Sequence, residues 1–479
     1  MPTRRLAGAL ALFTVLLPTS GRAEPRAPGA SSVPRVPSVP RGPSTKQRTL
    51  AGYKNGVFFL RDATDTFRLY PQGRVHLDGI TWLGAGVDRQ TPPLNPTAFV
   101  RRARAEMSGE LAKLQFTFQL ELASAAVAST TVRPGVVNAF VNYPFDPMLN
   151  LQGGQFRIPF SFENRTSVNF LPFHERALPV RIVGAGTGRE TGAMVWGETP
   201  RHEVYYSLGA FGGDGADRTN ADRRFDVIGR ATFHPFVQAR AVRPLRDVRV
   251  GFSGRGGSRD PRLVGYDVPA MTTQGGYAFF RSVYEDSQKR DVHIVPSDLQ
   301  RAGGLEIFVP YRRVDFTAEY IGIANDTRED LDTADVADGS ARKGRISGHG
   351  AYVQLGLWVV GSRTILPRPG YMVPLHGELD REAPAPPDRA LELLVRVEQL
   401  RLRYEASSRS GRDDANTPSG RIDVDGLGFG ANYWMTRHVR ASANYLFYTF
   451  GDRAVSPAAR AGVPGSTLHE LGVRIGVQL

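Results

Sequence analysis

The sequence predicts an all-β protein: a transmembrane antiparallel β-barrel of about sixteen strands with one loop folded inward. Three observations predict it. Almost every periodic segment after Tyr53 repeats with a period of two, not 3.6. The segments so marked run about ten to thirteen residues, longer than the usual five or six, and carry large apolar side chains along one whole face. Between Pro159 and Pro179 the alternation stops, and aromatic residues crowd among charged ones.

The strand signal is clearest from Lys113 to Leu122. There Leu114, Phe116, Phe118, Leu120 and Leu122 alternate with Gln115, Thr117, Gln119 and Glu121. The same pattern sets Val314, Phe316, Ala318 and Tyr320 against Arg313, Asp315, Thr317 and Glu319. It returns in Ala351–Val359, in Val439–Phe447, and in the final run, where Leu471, Val473, Ile475, Val477 and Leu479 oppose Glu470, Arg474 and Gln478. A soluble sandwich also alternates. Strand length, and short turns (Glu110 to Lys113, Pro310 to Arg312, Met435 to His438) between long polar loops, favour a membrane barrel.

Strands are expected to begin near Phe67, Phe99, Lys113, Gly135, Leu149, Glu190, His202, Arg223, Arg246, Tyr277 or Arg301, Arg312, Ser347, Arg389, Arg421, Val439 and Thr467. An even number near sixteen leaves an aqueous lumen. Long loops are expected over 253–275, 324–345, 361–388, 405–420 and 451–466.

Composition and targeting agree with an exported barrel. The 479 residues include 52 Gly and 34 Pro, which favours many turns, and no Cys, which removes disulfides and thiolate metal sites. Arg4 and Arg5 precede the apolar run Leu6–Leu17, and Pro18–Ala23 ends in small residues, so residues 1–23 read as a signal peptide. Residues 24–52 read as a Pro/Ser-rich disordered lead-in and 53–479 as the barrel. The formal charge of +13 points to an anionic partner, and export argues against nucleic acid. No cofactor is expected.

The stretch Leu151–Pro179 starts as a strand and breaks at Pro159. Around and after that break lie Arg157, Glu163, Arg165, His174, Glu175 and Arg176 among Phe156, Phe160, Phe162, Phe170 and Phe173. A loop enclosed in a barrel needs both kinds of residue, aromatics to pack and charges to face water.

Several stretches resemble the phosphate-selective porin O/P family. They are Tyr70-Pro-Gln-Gly-Arg-Val-His-Leu-Asp78, Phe99-Val-Arg-Arg-Ala-Arg-Ala-Glu106, Gly154-Gln-Phe-Arg-Ile-Pro-Phe160 and Phe173-His-Glu-Arg-Ala-Leu-Pro179. Glu392–Arg396, Gly428–Trp434 and Val439–Tyr445 continue the series, in order, across nearly the whole chain. The resemblance implies a trimeric sixteen-stranded channel in the bacterial outer membrane, set in lipid. It also implies an inward third loop and basic residues that guide phosphate-like anions.

By that resemblance Arg74 and the Arg101–Arg102 pair occupy pore positions. The alternation puts Arg74, Arg102 and Arg104 on the polar face; Arg101 falls on the apolar phase and must snorkel, sit at the rim or follow a bulge. Arginine suits an oxyanion because it stays charged and presents a planar fork of donors. The expected anion path is therefore Arg74, Arg102, Arg104, Arg157, Arg165 and Arg176, with Glu163 and Glu175 holding the loop's arginines. Asn164 and Asn169 stand where the family pattern carries lysines, and the chain ends in Leu479 rather than an aromatic. The alternatives are a weakly selective general porin, in which these arginines only brace the wall, and an outer-membrane barrel hydrolase using His174 and Glu175. The sequence holds no HExxH, GxSxG or P-loop pattern. By the same resemblance, Arg255, Arg259 and Arg262 are expected to supply a basic funnel. Asp214, Asp217, Asn220 and Asp222, which lack EF-hand spacing, read as a solvated loop rather than a calcium site, and Asp326–Asp338 reads as an acidic surface loop.

Overall fold

The computed structural model describes residues 49–54, 57–88, 90, 93–123, 134–184, 188–216, 218–260, 262–263, 265–285, 289, 291–330, 343–363, 387–407, 420–451 and 467–479. The expected signal peptide and most of the expected lead-in lie outside the described residues.

Sixteen strands make the barrel: β1 (Phe67–Gly84), β2 (Thr97–Leu111), β3 (Leu114–Ala123), β4 (Gly135–Asp146), β5 (Leu149–Arg157), β6 (Arg189–Glu198), β7 (Val204–Phe211) and β8 (Asp226–Phe233). The second half is β9 (Arg249–Arg259), β10 (Asp291–Tyr311), β11 (Val314–Asp330), β12 (Lys343–Val360), β13 (Ala390–Ser407), β14 (Gly420–Thr436), β15 (Val439–Phe450) and β16 (Thr467–Gln478). Each pairs antiparallel with the next. β16 then pairs with β1, Gln478 opposite Arg74 and Leu468 opposite Gly84. Closure leaves no barrel edge open to another chain. A hairpin, Ala51–Lys54 with Val57–Arg61, precedes the barrel and meets the first residues of β1.

The faces separate as a period of two requires. On β13, Glu392, Leu394, Arg396 and Glu398 are buried, while Leu393, Val395 and Val397 are exposed. On β16, Glu470 and Arg474 are buried between the exposed Leu471, Val473 and Ile475. Apolar residues outside and charged ones inside suit a barrel bathed in lipid, where backbone groups must be satisfied by inter-strand bonds. The apolar band ends where outward positions turn polar: Arg401 of β13 grips Asp425 of β14 through two hydrogen bonds of 2.6 and 2.8 Å.

Phe67, Gly135, Leu149, Val439 and Thr467 begin strands as expected. The tenth strand differs. It starts at Asp291, ahead of Arg301, and Tyr277 lies in a small hairpin, Met271–Thr272 with Ala278–Phe280. Loop boundaries move too, since β9 runs on to Arg259 and β11 to Asp330. Asp326 and Asp330 thus belong to a strand rather than a surface loop, and residues 331–338 of the acidic run lie outside the described residues. Strand parity corrects one more expectation. The connection 361–389 joins the ends of β12 and β13 that lie beside the short turns 112–113, 312–313 and 437–438, not on the long-loop side.

Candidate functional site

The connection from β5 to β6 supplies the inward loop. Pro159 has no N–H to continue the ladder. Ser161 turns the chain with φ of 66°, and its Oγ accepts from the Asn164 amide at 3.2 Å, starting one helical turn, Phe162–Arg165. The free amides of Phe162 and Glu163 donate to the carboxylate of Glu319 on β11, at 3.0 and 2.9 Å. Tyr352 of β12 donates to the same carboxylate at 2.8 Å.

The carbonyl side is closed by arginine. Arg176 donates to the carbonyls of Glu163, Asn164 and Thr166 at 2.9, 3.3 and 2.7 Å. Arg157 reaches the Asn164 carbonyl at 2.8 Å, and Arg165 donates to the carbonyl of Arg157. Glu163 accepts from the Ala177 amide at 2.7 Å. Gly188 closes the exit with φ of +73°; a Cβ there would stand 2.6 Å from Asn164 Oδ1.

The loop spans the bore. Leaving β5 and returning to β6, it meets inward-facing side chains of β13, β14, β15, β16 and β2. The Leu178 amide donates to Glu398 at 2.8 Å, and Asn432 donates to the Pro172 carbonyl at 2.8 Å. Arg440 donates to the Leu171 carbonyl at 3.0 Å and Arg474 to that of His174 at 2.7 Å. The ring of Phe173 lies 4.1 Å beneath the guanidinium of Arg396, and Phe162 stacks on Phe308 at 5.3 Å. Charged donors on carbonyls are the stronger class of hydrogen bond, about 1.5–3 kcal/mol each. A loop with this many is fixed to the wall.

A bulge resolves the phase of Arg101. His76 pairs with Arg102 and Leu77 with Val100, so Arg101 is the extra residue of β2. Both neighbouring arginines therefore turn inward, and their Nη2 atoms lie 3.2 and 2.9 Å from the Glu175 carboxylate. Arg474 joins them at 3.4 Å. Burial alone would raise the Glu175 carboxyl; Arg102, Arg101 and Arg474 outweigh it and hold it well below the usual carboxylate range.

The other expected residues fall as follows. Arg74 contacts Glu106 at 3.1 Å and Ser167 at 3.4 Å, and Arg104 contacts Glu121 at 2.5 Å. Arg157, Arg165 and Arg176 bind loop carbonyls. The carboxylate of Glu175 holds arginines of the wall rather than of the loop, and that of Glu163 binds the Ala177 amide. Asn164 and Asn169 offer their carbonyls, Asn164 to Arg157 and Arg176 and Asn169 to Arg440 at 3.4 Å. Burial brings Arg176 down to about 10.

Sequence reasoning missed Arg189. It pairs with Arg157 in register and lies within electrostatic reach of Arg104, Arg176, Arg102 and Arg74. It precedes the expected strand start by one residue, and simple alternation would set it on the exposed phase of Thr191, Ala193 and Val195, so the sequence carried no signal that it turns toward Asn138, to which it donates at 3.1 Å. It also missed Arg396, Arg440 and Arg474 as loop anchors. Arginines thus crowd the β1, β2, β5 and β6 side, while Glu306, Glu319, Glu392 and Glu398 line the β10–β13 side.

A second segment enters the bore. In the hairpin around 271–280, Thr273 and the Gly275 amide donate to Glu470 of β16, the latter at 2.8 Å. Arg396 donates to Gln274 at 3.3 Å, and Tyr277 stacks on Phe450 at 5.4 Å. The isolated short apolar run gave no sign of this in the sequence.

The remaining motifs are self-satisfied. Asp214 accepts from the Ala221 amide and from Tyr266, each at 2.8 Å, and Asp222 from the Asp260 amide at 2.6 Å. These carboxylates are buried in packed structure, not solvated. Arg255 and Arg259, expected as a funnel, are tied to Asp226 at 2.6 and 2.7 Å. His174 and Glu175 form no dyad: Glu175 faces arginines, and burial followed by the charge of Arg474 pushes the imidazole well below its usual range. Among the described residues no group of three or more carboxylates and histidines could hold a metal ion.

A closed sixteen-stranded barrel with an apolar exterior, a charged interior and a loop across its bore defines an outer-membrane channel of the porin type. Residues 73–247 match the family described as phosphate-selective porin O and P, so the resemblance read from the sequence holds across β1–β8. The similar stretches from Glu392 onward lie beyond the matched residues. No curated protein sequence matches the chain. Similar solved structures include outer-membrane expressed OmpT of Vibrio cholerae, 11% identical with a TM-score of 0.49, covering 87% of this chain and 99% of that one. An anion-selective porin from Comamonas acidovorans is 9% identical with a TM-score of 0.46, covering 86% and 100%. The outer-membrane channel DcaP of Acinetobacter baumannii is 9% identical with a TM-score of 0.47, covering 88% and 99%.

Proposed function

We propose that this porin passes small anions, phosphate among them, by passive diffusion and performs no reaction. The observation that carries the reading is the grouping of Arg74, Arg102, Arg104, Arg157, Arg165, Arg176 and Arg189 beside a loop that narrows the bore. A narrow passage with one excess sign of fixed charge raises the local concentration of the opposite ion. The signal peptide, export to the outer membrane and a homotrimeric assembly in lipid complete the proposal.

A second reading is favoured by one observation: Arg157, Arg165 and Arg176 spend their donors on loop carbonyls. On that reading the pore is general and weakly selective, with these arginines as scaffold. Reversal potentials in asymmetric KCl, recorded from the purified protein in planar bilayers, test the first reading, and a clear cation preference would overturn it. Competition then separates the two. Block of chloride current by millimolar phosphate supports a phosphate path, and its absence supports the general pore.

A further inference from the structure

On the short-turn side of the inward loop, away from the arginine cluster, a cavity of about 100 Å³ opens between the loop and the wall of β9–β13. Its lining mixes three chemistries. Phe162, Phe308 and Trp358 give it flat apolar sides. Glu163, Asp315 and Glu392 give it carboxylates, and Arg249 and Arg363 give it guanidiniums. Gly356 makes room for one of these groups, since a Cβ there would stand 2.6 Å from Asp315 Oδ1.

Most of the polar groups have partners. Asp315 accepts from Trp358 Nε1 at 3.0 Å, and Glu392 accepts from Asn432 at 2.8 Å. Two do not. Gln354 is 3% exposed, and its Oε1 has no hydrogen-bond partner among the described residues. Arg363, whose side chain is 8% exposed, donates to the Arg312 carbonyl and lies 3.9 Å from Asp315, yet its Nη1 has no hydrogen-bond partner among the described residues. A buried acceptor and a buried donor left unmade are each costly, by about 1–3 kcal/mol. They line one cavity, beside aromatic faces.

We infer that this cavity is a subsite for a small zwitterion, an α-amino acid with an apolar side chain: its ammonium would meet Gln354 Oε1, its carboxylate Arg363 Nη1, and its side chain the rings of Phe162, Phe308 and Trp358. A simple anion would face three carboxylates, and a simple cation two guanidiniums. Only a ligand carrying both signs matches both.

Saturation-transfer NMR on the detergent-solubilised protein tests this without relying on anion conduction. The probes are valine, isobutylamine and isovalerate, which share a body and differ in charge. Valine is expected to bind about tenfold more tightly than either of the others, and Gln354→Leu and Arg363→Leu to weaken valine about tenfold each. Folding of each variant is checked by heat-modifiable migration. Equal binding of the amine or the acid by the wild-type protein overturns the inference, as does valine binding unchanged in a folded Gln354→Leu variant. The wild-type comparison decides alone if a variant does not fold.

Discussion

Arg102 Nη2 stands 2.9 Å from Glu175 Oε2, joining the wall of the barrel at β2 to the middle of the loop that crosses its bore. Arg101 reaches the other carboxylate oxygen because the strand bulges there. One carboxylate therefore gathers two adjacent arginines from β2 and Arg474 from β16, two strands away across the closure.

Replacing Glu175 by Gln should release this clasp. Removing one partner of a buried ion pair costs about 3–5 kcal/mol, because charges are left uncompensated. The expected outcome is a lower unfolding temperature by heat-modifiable migration, with a larger and noisier single-channel conductance. Anion preference should rise, since fixed positive charge in the bore is unmasked. Unchanged conductance would show that the clasp does not hold the constriction.

Arg176→Ala should loosen the loop from within. Three carbonyls lose a donor, at about 1.5–3 kcal/mol for a charged hydrogen bond, and among the described residues only that of Asn164 keeps a second one, from Arg157. Proteolysis of the folded protein at 159–179 should become detectable. Arg176→Lys should rescue this only in part, because an ammonium lacks the planar fork that serves three acceptors.

Burial raises the Glu163 carboxyl above its usual range. An acid with a raised folded pKa binds its proton more tightly when folded, so its contribution is present below the unfolded pKa, about 4.3, and lost as pH rises. Glu163→Gln keeps an acceptor for the Ala177 amide and removes that loss. The variant should be more stable than wild type at pH 8, by about 1.4 kcal/mol for each pKa unit of the raise, and the gap should close toward pH 4. Thermal transitions across that window give the answer; a gap that widens on acidification would contradict it.

Arg189→Ala should lower the chloride-to-potassium permeability ratio, read from reversal potentials, with a smaller effect on the unfolding temperature than Glu175→Gln. Arg104→Ala should lower the ratio as well, but with a cost in stability because Glu121 loses its partner at 2.5 Å. If neither variant moves the ratio, the arginine cluster is scaffold.

Much of this was legible in the chain. The period of two placed the strands, because a barrel wall must show one face to lipid and the other to water. Pro159 and the mixed aromatics and charges marked the loop, since such a segment satisfies its charges only inside a structure. Less legible were places where a strand departs from regularity. Arg101 could be assigned only by finding the bulge, and the hairpin at 271–280 is too short to carry a period.

The sequence by itself determined the barrel, the approximate number of its strands and the segment that narrows its bore. Those follow from local alternation and from backbone rules that act within a few residues. Tertiary structure alone decided which arginines meet which carboxylates. Glu175 meets Arg474, 299 residues away, only because closure brings β16 beside β1, and which charges are spent on carbonyls depends on how the loop lands. Charge partners in a closed barrel are set by register and closure, and neither is written in any short stretch of chain.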